Sequence, residues 1–420
     1  MSIVQKLLLS SRTSHRTARL LTRTGDRAVS SDAYKPRNPI PATFLRGGTS
    51  KGIYLNKSDL PADESQWDRI FLGIMGSPDP EHGRQLNGMG GGVSSLSKIC
   101  VVGHPAQPRA DIDVEYTFAQ IGIRDATVDY SGNCGNLSSM IGVFALDEGM
   151  CGPDVLVQQG NDGHHIATIR AFNTNTGKRI DTSFPVTEDG HVPVLDLPQA
   201  TVAGVPGKAS QITLDFVSPG GARTGKLLPT GNPTDTIDIT ACKSAQATNV
   251  PASLVDATNP TVFITSDDLR RAAGIAADAA IEHNSKSVSS LIEHIRQRGA
   301  ERMRLDPSAQ AQPKIAVLSP PRLDDAGADI VVHAYSMGVL HKAVPMTLGL
   351  CLGVAAKIKG TLAYDIVRDS RRERAEKELL TIRHPGGTVN VGADMTPAGE
   401  VRSAKVVRTG RRLMKGVVWW

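Results

Sequence analysis

Residues 137–147 read as a helix without a polar face, and from about 345 to 358 a second core helix is expected on the same pattern. A helix that is apolar all round runs through a core rather than over it. Short β-rich runs and Gly-bounded helices alternate on either side of both. This grammar predicts two similar α+β halves, each with a central apolar helix whose N-terminus faces the other, and an active site between them. Residues 42–45 and 53–55 read as strands joined by the tight turn Arg46-Gly47-Gly48-Thr49-Ser50-Lys51-Gly52. Trp67, Ile70, Phe71 and Ile74 give helical spacing over 63–76, stopped by Gly76 and Pro78. Residues 111–120 alternate as a half-buried strand does. Strands are expected at 194–197, 211–216, 237–239 and 314–318, helices at 267–280 and 288–298, and a linker at 204–207. The segments that follow are a basic arm (1–38), a first domain (39–205), a second (206–385) and a C-terminal segment (386–420) that returns to the first.

Two Gly-rich segments lead into apolar stretches. The first, Gly88-Met89-Gly90-Gly91-Gly92-Val93-Ser94-Ser95-Leu96-Ser97-Lys98, ends in an amine; the second, Ser131-Gly132-Asn133-Cys134-Gly135-Asn136-Leu137, carries a thiol. Glycines let backbone approach a ligand closely, and free N–H groups opening a helix form an anion site. The two segments therefore read as one carboxylate-binding, proton-moving cleft, with the amine and the thiol on opposite walls. Cys134 sits where a helix N-terminus favours the thiolate. Lys98 precedes Ile99-Cys100-Val101-Val102, a setting in which desolvation lowers a lysine from about 10.4 towards neutrality and makes it a general base.

Composition excludes several classes. The 420 residues are 40% hydrophobic and 21% charged, as in a globular chain of two or three domains. Much of the net charge of +5 comes from residues 1–37, where eight Lys and Arg outnumber Asp26 and Asp32, so the body has no nucleic-acid footprint. No run of 18 apolar residues marks a membrane span. The five cysteines are scattered, with no C-x-x-C pair and no Cys/His cluster at zinc spacing, which points to a reducing compartment and no metal. Residues 1–25 hold Arg, Ser, Thr and Leu but no acid, the composition of a mitochondrial transit peptide; a basic arm on a cytoplasmic protein is the alternative.

Gly220-Gly221-Ala222-Arg223-Thr224-Gly225-Lys226 is followed by Leu227 where a phosphate loop needs Ser or Thr, so it reads as a turn delivering Lys226 and Thr230 to a ligand. Arg46, Ser50, Lys51, Asn232, His341, Thr347 and His384 also lie in turns, where binding residues concentrate. Such cations and hydroxyls suit a polycarboxylate, whose charges need charge-assisted bonds on leaving water.

Six motifs in order make the chain resemble the PrpF family of 2-methylaconitate cis-trans isomerases, whose relatives include 4-oxalomesaconate tautomerases and aconitate isomerases. They are 46–52, 88–98, 132–136, Lys226-Leu227-Leu228-Pro229-Thr230-Gly231, Val255-Asp256-Ala257-Thr258-Asn259-Pro260 and Arg408-Thr409-Gly410-Arg411-Arg412-Leu413-Met414. The resemblance implies the diaminopimelate-epimerase-like α+β fold, two pseudo-symmetric domains each with a curved sheet around a central helix. It also implies cofactor-independent proton transfer on an unsaturated polycarboxylate, with Lys98 and Cys134 catalytic. The substrate-binding set is then Arg46, Ser50, Lys51, Gly91, Ser94, Asn133, Gly135, Asn136, Lys226, Thr230, Thr347 and His384. Where two-thiol epimerases of this fold carry a second cysteine the chain has Met346, and Asn87, Leu348 and Gly386 stand where the family pattern has Asp, Gly and Ser. An amino-acid racemase and a non-catalytic polycarboxylate-binding protein are the alternatives. The partner expected is the small acid itself, and assembly, where present, a homodimer.

Overall fold

Apolar alternation draws Ile40–Gly47 (β1) and Ser50–Asn56 (β2) into a hairpin, and Gly48 makes its turn at φ +49, a left-handed conformation that glycine adopts freely. The computed structural model describes residues 37–420 apart from 153–154, 161–162, 278, 310–311, 323, 326, 337–338 and 371–378. Apart from Arg37 and Asn38, the basic arm with its targeting expectation lies outside the described residues. Residues 37–420 cluster as one unit.

After β2 come Trp67–Met75 (α1), Lys98–Gly103 (β3) and Val114–Ile121 (β4). The core helix expected over 137–147 is two pieces, Gly135–Ser138 (α2) and Ile141–Asp147 (α3). Serines cause the break: Ser138 Oγ donates to Cys134 O at 3.1 Å and Ser139 Oγ to Asn136 O at 2.7 Å, competing with the helical ladder. His165–Asn173 (β5), Lys178–Val186 (β6) and Ile212–Val217 (β7) complete the first half. Its strands pair β1 with β2 antiparallel, β2 with β3 parallel, β3 with β4 antiparallel, β4 with β5 parallel, then β5 with β6 and β6 with β7 antiparallel.

The second half repeats that order. Asn249–Ala257 (β8) and Asn259–Thr265 (β9) form a hairpin, followed by Ser266–Ala273 (α4), Lys286–Arg302 (α5), Lys314–Ser319 (β10), Ile330–Ser336 (β11), Met346–Ala355 (α6), Leu380–His384 (β12), Gly387–Met395 (β13), Val401–Arg408 (β14) and Gly410–Val418 (β15). Here β8 pairs with β9 antiparallel, β9 with β10 parallel, β10 with β11 antiparallel, β11 with β12 parallel, then β12 with β13 and β13 with β14 antiparallel. The two halves join where β7 pairs with β14, and β15 crosses back to pair with β1.

Each curved sheet closes on its helix. Leu45, Tyr54, Phe118, Ile169, Phe184 and Ile212 bury Leu137, Ile141 and Phe144 in one core. Leu214, Val255, Phe263, Val332, Val391 and Val406 bury Leu348 to Ala355 in the other. The outer faces are covered by α1 in the first half and by α4 and α5 in the second.

Three expectations fail locally. Residues 194–197 form no strand, Pro193 making only an isolated bridge to Val186. Residues 204–207 are not a linker but the turn and second strand of a small hairpin, Ala200–Val202 with Val205–Ala209, turned at Gly204 with φ +84. The helix expected to reach 280 stops at Ala273, where Gly274 adopts the left-handed C-cap and its N–H bonds Arg270 O and Arg271 O.

Candidate active site

Lys98 opens β3, and strand alternation sends it to the same face as Cys100 and Val102, toward α2 and α3, while Ile99 and Val101 face α1. Only 8% of it is exposed. Its Nζ donates to Oε1 of Gln120, the residue directly across in β4, and lies 5.1 Å from the Phe118 ring centroid. Gln120 Nε2 in turn donates to Ser97 O at 2.9 Å and Ser94 O at 3.2 Å. Carbonyls only accept, so the amide nitrogen must point to them and the amide oxygen to Lys98.

Cys134 is the N-cap of α2 in extended conformation, its Sγ 3.9 Å from the Oγ of the buried Ser50. The helix it caps is one turn long, so the dipole expected to act on it is short. The Cys100 thiol lies within electrostatic reach of both candidates: burial pushes it well above its ordinary value, Cys134 adds to the rise and Lys98 opposes it. The amine and the thiol both come from elements of the first half, the start of β3 and the N-cap of α2.

Asn136 knits the hairpin turn to the site. Its Nδ2 donates to Thr49 Oγ1 at 3.0 Å and Ser50 Oγ at 3.4 Å, and its Oδ1 accepts from Arg408 Nε at 3.0 Å. Asn133 is held by the Tyr116 hydroxyl at 3.3 Å and by Ser138. Gly135 packs directly on the Met346 sulfur, bringing the first turns of α2 and α6 together at a point where a Cβ would collide.

The other expected site residues scatter. Arg46 donates to Gly48 O, Thr409 O and Thr409 Oγ1 at 2.9 to 3.2 Å, locking the hairpin to the β14–β15 junction. Lys51 follows Ser50 in β2, so it faces the opposite side, over the Phe44 ring at 5.8 Å. Gly91 and Ser94 are exposed on the Gly-rich loop, which is organised by buried Gln85: its Oε1 accepts from Gly92 N and Ser97 Oγ. Lys226 is exposed, and Thr230 donates to Asp235 at 2.6 Å. The phosphate-loop lookalike wraps an internal anion: Arg223 N, Thr224 N and Thr224 Oγ1 all donate to Asp256 Oδ2, within 2.9 Å.

Sequence reasoning missed three residues. Gln120 and Arg408 are two. The third is Lys314, which opens β10 as Lys98 opens β3; the repeat Lys-Ile-x-Val at 98–101 and 314–317 was the available signal. Lys314 Nζ donates to Thr347 Oγ1 at 3.2 Å on the first turn of α6, and burial pushes it down to about 8. Thr347 O also accepts from Thr258 Oγ1 at 2.8 Å. His384 and Arg408 meet Thr49, Asn136 and Met346 around a cavity of about 370 Å³.

Fold and site together define a two-half α+β protein whose first half carries a buried amine and a helix-capping thiol, with a polar cavity lined by Arg408 and His384 where the two central helices begin. Among the described residues no group of three or more His, Cys, Asp or Glu could hold a metal, and no helix is long and apolar enough to cross a membrane. A family model described as "PrpF protein" matches residues 37–420, and the chain belongs to that family. It is 34% identical over 397 residues to a 3-methylitaconate isomerase of Eubacterium barkeri, covering 90% of this chain and 97% of that one. It is 33% identical over 415 residues to a 2-methyl-aconitate isomerase of Shewanella oneidensis, covering 93% and 99%. The crystal structure of a methylitaconate-delta-isomerase superposes with a TM-score of 0.78 at 31% identity, covering 92% of this chain and 96% of that one. The chain is an isomerase with the diaminopimelate-epimerase-like fold.

Proposed function

We propose that this isomerase moves an allylic proton on an unsaturated tricarboxylic acid of the 2-methylaconitate or cis/trans-aconitate type, without a cofactor. The observation that supports the reading is that Lys98 and Cys134 both belong to the first half and both act electrostatically on the buried Cys100 thiol. In such an acid a methylene lies between a carboxylate and a C=C conjugated to another carboxylate. Loss of a methylene proton to Lys98 gives a dienolate spread over both groups. The Lys98 ammonium then delivers one of its three solvent-exchangeable protons to another carbon, or Cys134 supplies one in its place. Rotation about the weakened double bond of the dienolate permits cis-trans exchange. Backbone N–H groups around Gly135 stabilise the added negative charge as an oxyanion hole does.

Met346 where a second thiol would open α6 disfavours symmetric two-thiol racemisation. Proton NMR in deuterated buffer against 2-methylaconitate, cis- and trans-aconitate, 3-methylitaconate and 4-oxalomesaconate tests the reading. Turnover of one or more with deuterium entering the substrate methylene is expected, and Lys98→Ala should lower it by roughly 10²- to 10⁴-fold, the usual worth of a positioned acid or base. Near wild-type turnover in that variant, or retention of every substrate hydrogen, rejects the mechanism.

A further inference from the structure

Gln85 is wholly buried and sits at φ +56, a left-handed conformation that is unfavourable for a residue with a side chain. Asp79 holds its backbone there: the carboxylate accepts from the N–H groups of His82, Arg84 and Gln85 at 2.8 to 3.0 Å, and these bonds lower it to about 2. The Gln85 side chain then reaches two strands. Gly92 N, which can only donate, faces Oε1 at 3.0 Å and so fixes which way the amide points; Ser97 Oγ donates to the same oxygen at 2.6 Å. Nε2 donates to Ser77 Oγ at 2.8 Å, and Ser77 Oγ donates in turn to Gly122 O at 2.7 Å. Ser97 immediately precedes Lys98 at the start of β3, and Gly122 follows the last residue of β4, two positions beyond Gln120. One buried amide therefore ties the start of the lysine's strand to the end of the strand that carries its partner. Ser97 is itself buried, and its carbonyl accepts from Gln120 Nε2 at 2.9 Å and from the N–H of Ile121 at 3.0 Å. The path from Gln85 to Lys98 Nζ is thus an unbroken run of hydrogen bonds through Ser97 and Gln120. Gly90 belongs to the same assembly: a Cβ there would strike the Gln85 amide, so this glycine makes room for a protein side chain rather than for a ligand.

We infer that Gln85 is a positioning residue for Lys98, clamping β3 to β4 so that Gln120 Oε1 stays on the amine and aims it in one direction. A side chain that merely filled the space beneath the loop would need neither a left-handed backbone nor an amide bonded at both ends. Fully satisfied buried networks rigidify what they join, and an error of about 1 Å in the placement of a reacting group can cost about 100-fold in rate. The kinetic consequence of the clamp rests on the proton-transfer role proposed for Lys98; the hold on the amine does not.

The test compares wild type with Gln85→Met, which keeps the volume and removes both ends of the amide. With an acid that the wild type turns over, kcat is expected to fall roughly 10-fold while KM changes by less than about 3-fold. Added to Gln120→Leu, the same substitution should cost almost nothing more, because residues that act through one another do not add. An unchanged kcat in folded Gln85→Met, or a full further loss in the Gln120→Leu background, overturns the inference. A second readout needs no turnover: the nitrogen-15 signal of Lys98 Nζ in lysine-labelled protein, assigned through Lys98→Arg. In Gln85→Met that signal should move and titrate at a lower pH than in wild type, since a hydrogen bond from the ammonium favours the charged form and this bond is loosened. A signal and midpoint identical to wild type also overturn the inference. Should Gln85→Met fail to fold, Ser77→Ala, which cuts only the tie to Gly122, decides by the same nitrogen-15 measurement. If Lys98→Ala retains turnover while the signal moves, the proton-transfer mechanism falls and the clamp stands; an unmoved signal beside an inactive Lys98→Ala removes the clamp alone.

Discussion

Replacing Lys314 with methionine should make the protein more stable at neutral pH, and the gain should vanish in base. Lys314 is largely withdrawn from water, its one bond goes to Thr347, and no carboxylate pairs with it among the described residues. Burial lowers it from 10.5 to about 8. At about 1.4 kcal/mol per pH unit, holding that ammonium in the folded state costs about 3 kcal/mol while the group is charged both folded and unfolded. The unfolded chain binds the extra proton between about pH 8 and 10.5, so wild-type stability rises with pH across this window through this group. Conversely, that contribution is lost as pH falls through the folded value. Between pH 7 and pH 10 roughly 2.5 kcal/mol of the cost is recovered. Methionine fills similar volume and carries no charge, and it forfeits only the Thr347 bond, worth about 1 kcal/mol. Lys314→Met should therefore be more stable than wild type by about 2 kcal/mol at pH 7, and equal or slightly less stable at pH 10. Urea unfolding of both proteins at the two pH values measures the difference. Comparing them cancels the opposing trend from Cys351, whose buried thiol is pushed up to about 12. A gap that stays constant from pH 7 to pH 10 refutes the reasoning.

Two further expectations concern the first half. Gln120→Leu removes the amide oxygen that holds Lys98 Nζ while keeping the volume, so kcat should fall roughly 10- to 100-fold with KM changed by less than about 3-fold. A positioning role also predicts an altered pH profile of kcat, so a KM effect alone with the profile unchanged assigns Gln120 to binding instead. Gly135→Ala drives a methyl into the Met346 sulfur and should cost about 1 to 3 kcal/mol. Met346→Ala in the same chain should restore much of that loss in thermal melts, and no rescue would show that the strain lies in the Gly135 backbone.

Local grammar announced the two apolar helical segments and the hairpin at Gly48, because periodicity and glycine placement are written in neighbouring residues. Partners across the sheet were not legible: Gln120 meets Lys98 through register, and Arg408 reaches Asn136 from 272 positions away. Some errors were avoidable from physics already in the chain. Ser50 and Lys51 are adjacent in a strand, so they cannot share a face. Ser138 and Ser139 on a first helical turn can bond back to carbonyls and interrupt it. The Gly-rich turn at 220–226 offered N–H groups to an anion, and that anion is Asp256 of the protein itself, a residue no local pattern connects to the turn.

The correspondence between the halves sharpens what their difference means. Strand order and pairing sense match from β1 to β7 and from β8 to β14, and a lysine opens the third strand of each. The symmetry breaks where the central helices begin: Cys134 and Gly135 open α2, whereas Pro345 and Met346 open α6, and the methionine sulfur fills the space that Gly135 leaves. Only the first half therefore presents a thiol to the cleft, while the second presents an uncapped helix and His384, with Arg408 supplied from β14 at the seam. That difference predicts that exchanging side chains around α6 changes which acid is bound before it changes the proton chemistry, since α6 opens with Met346 and not with a thiol.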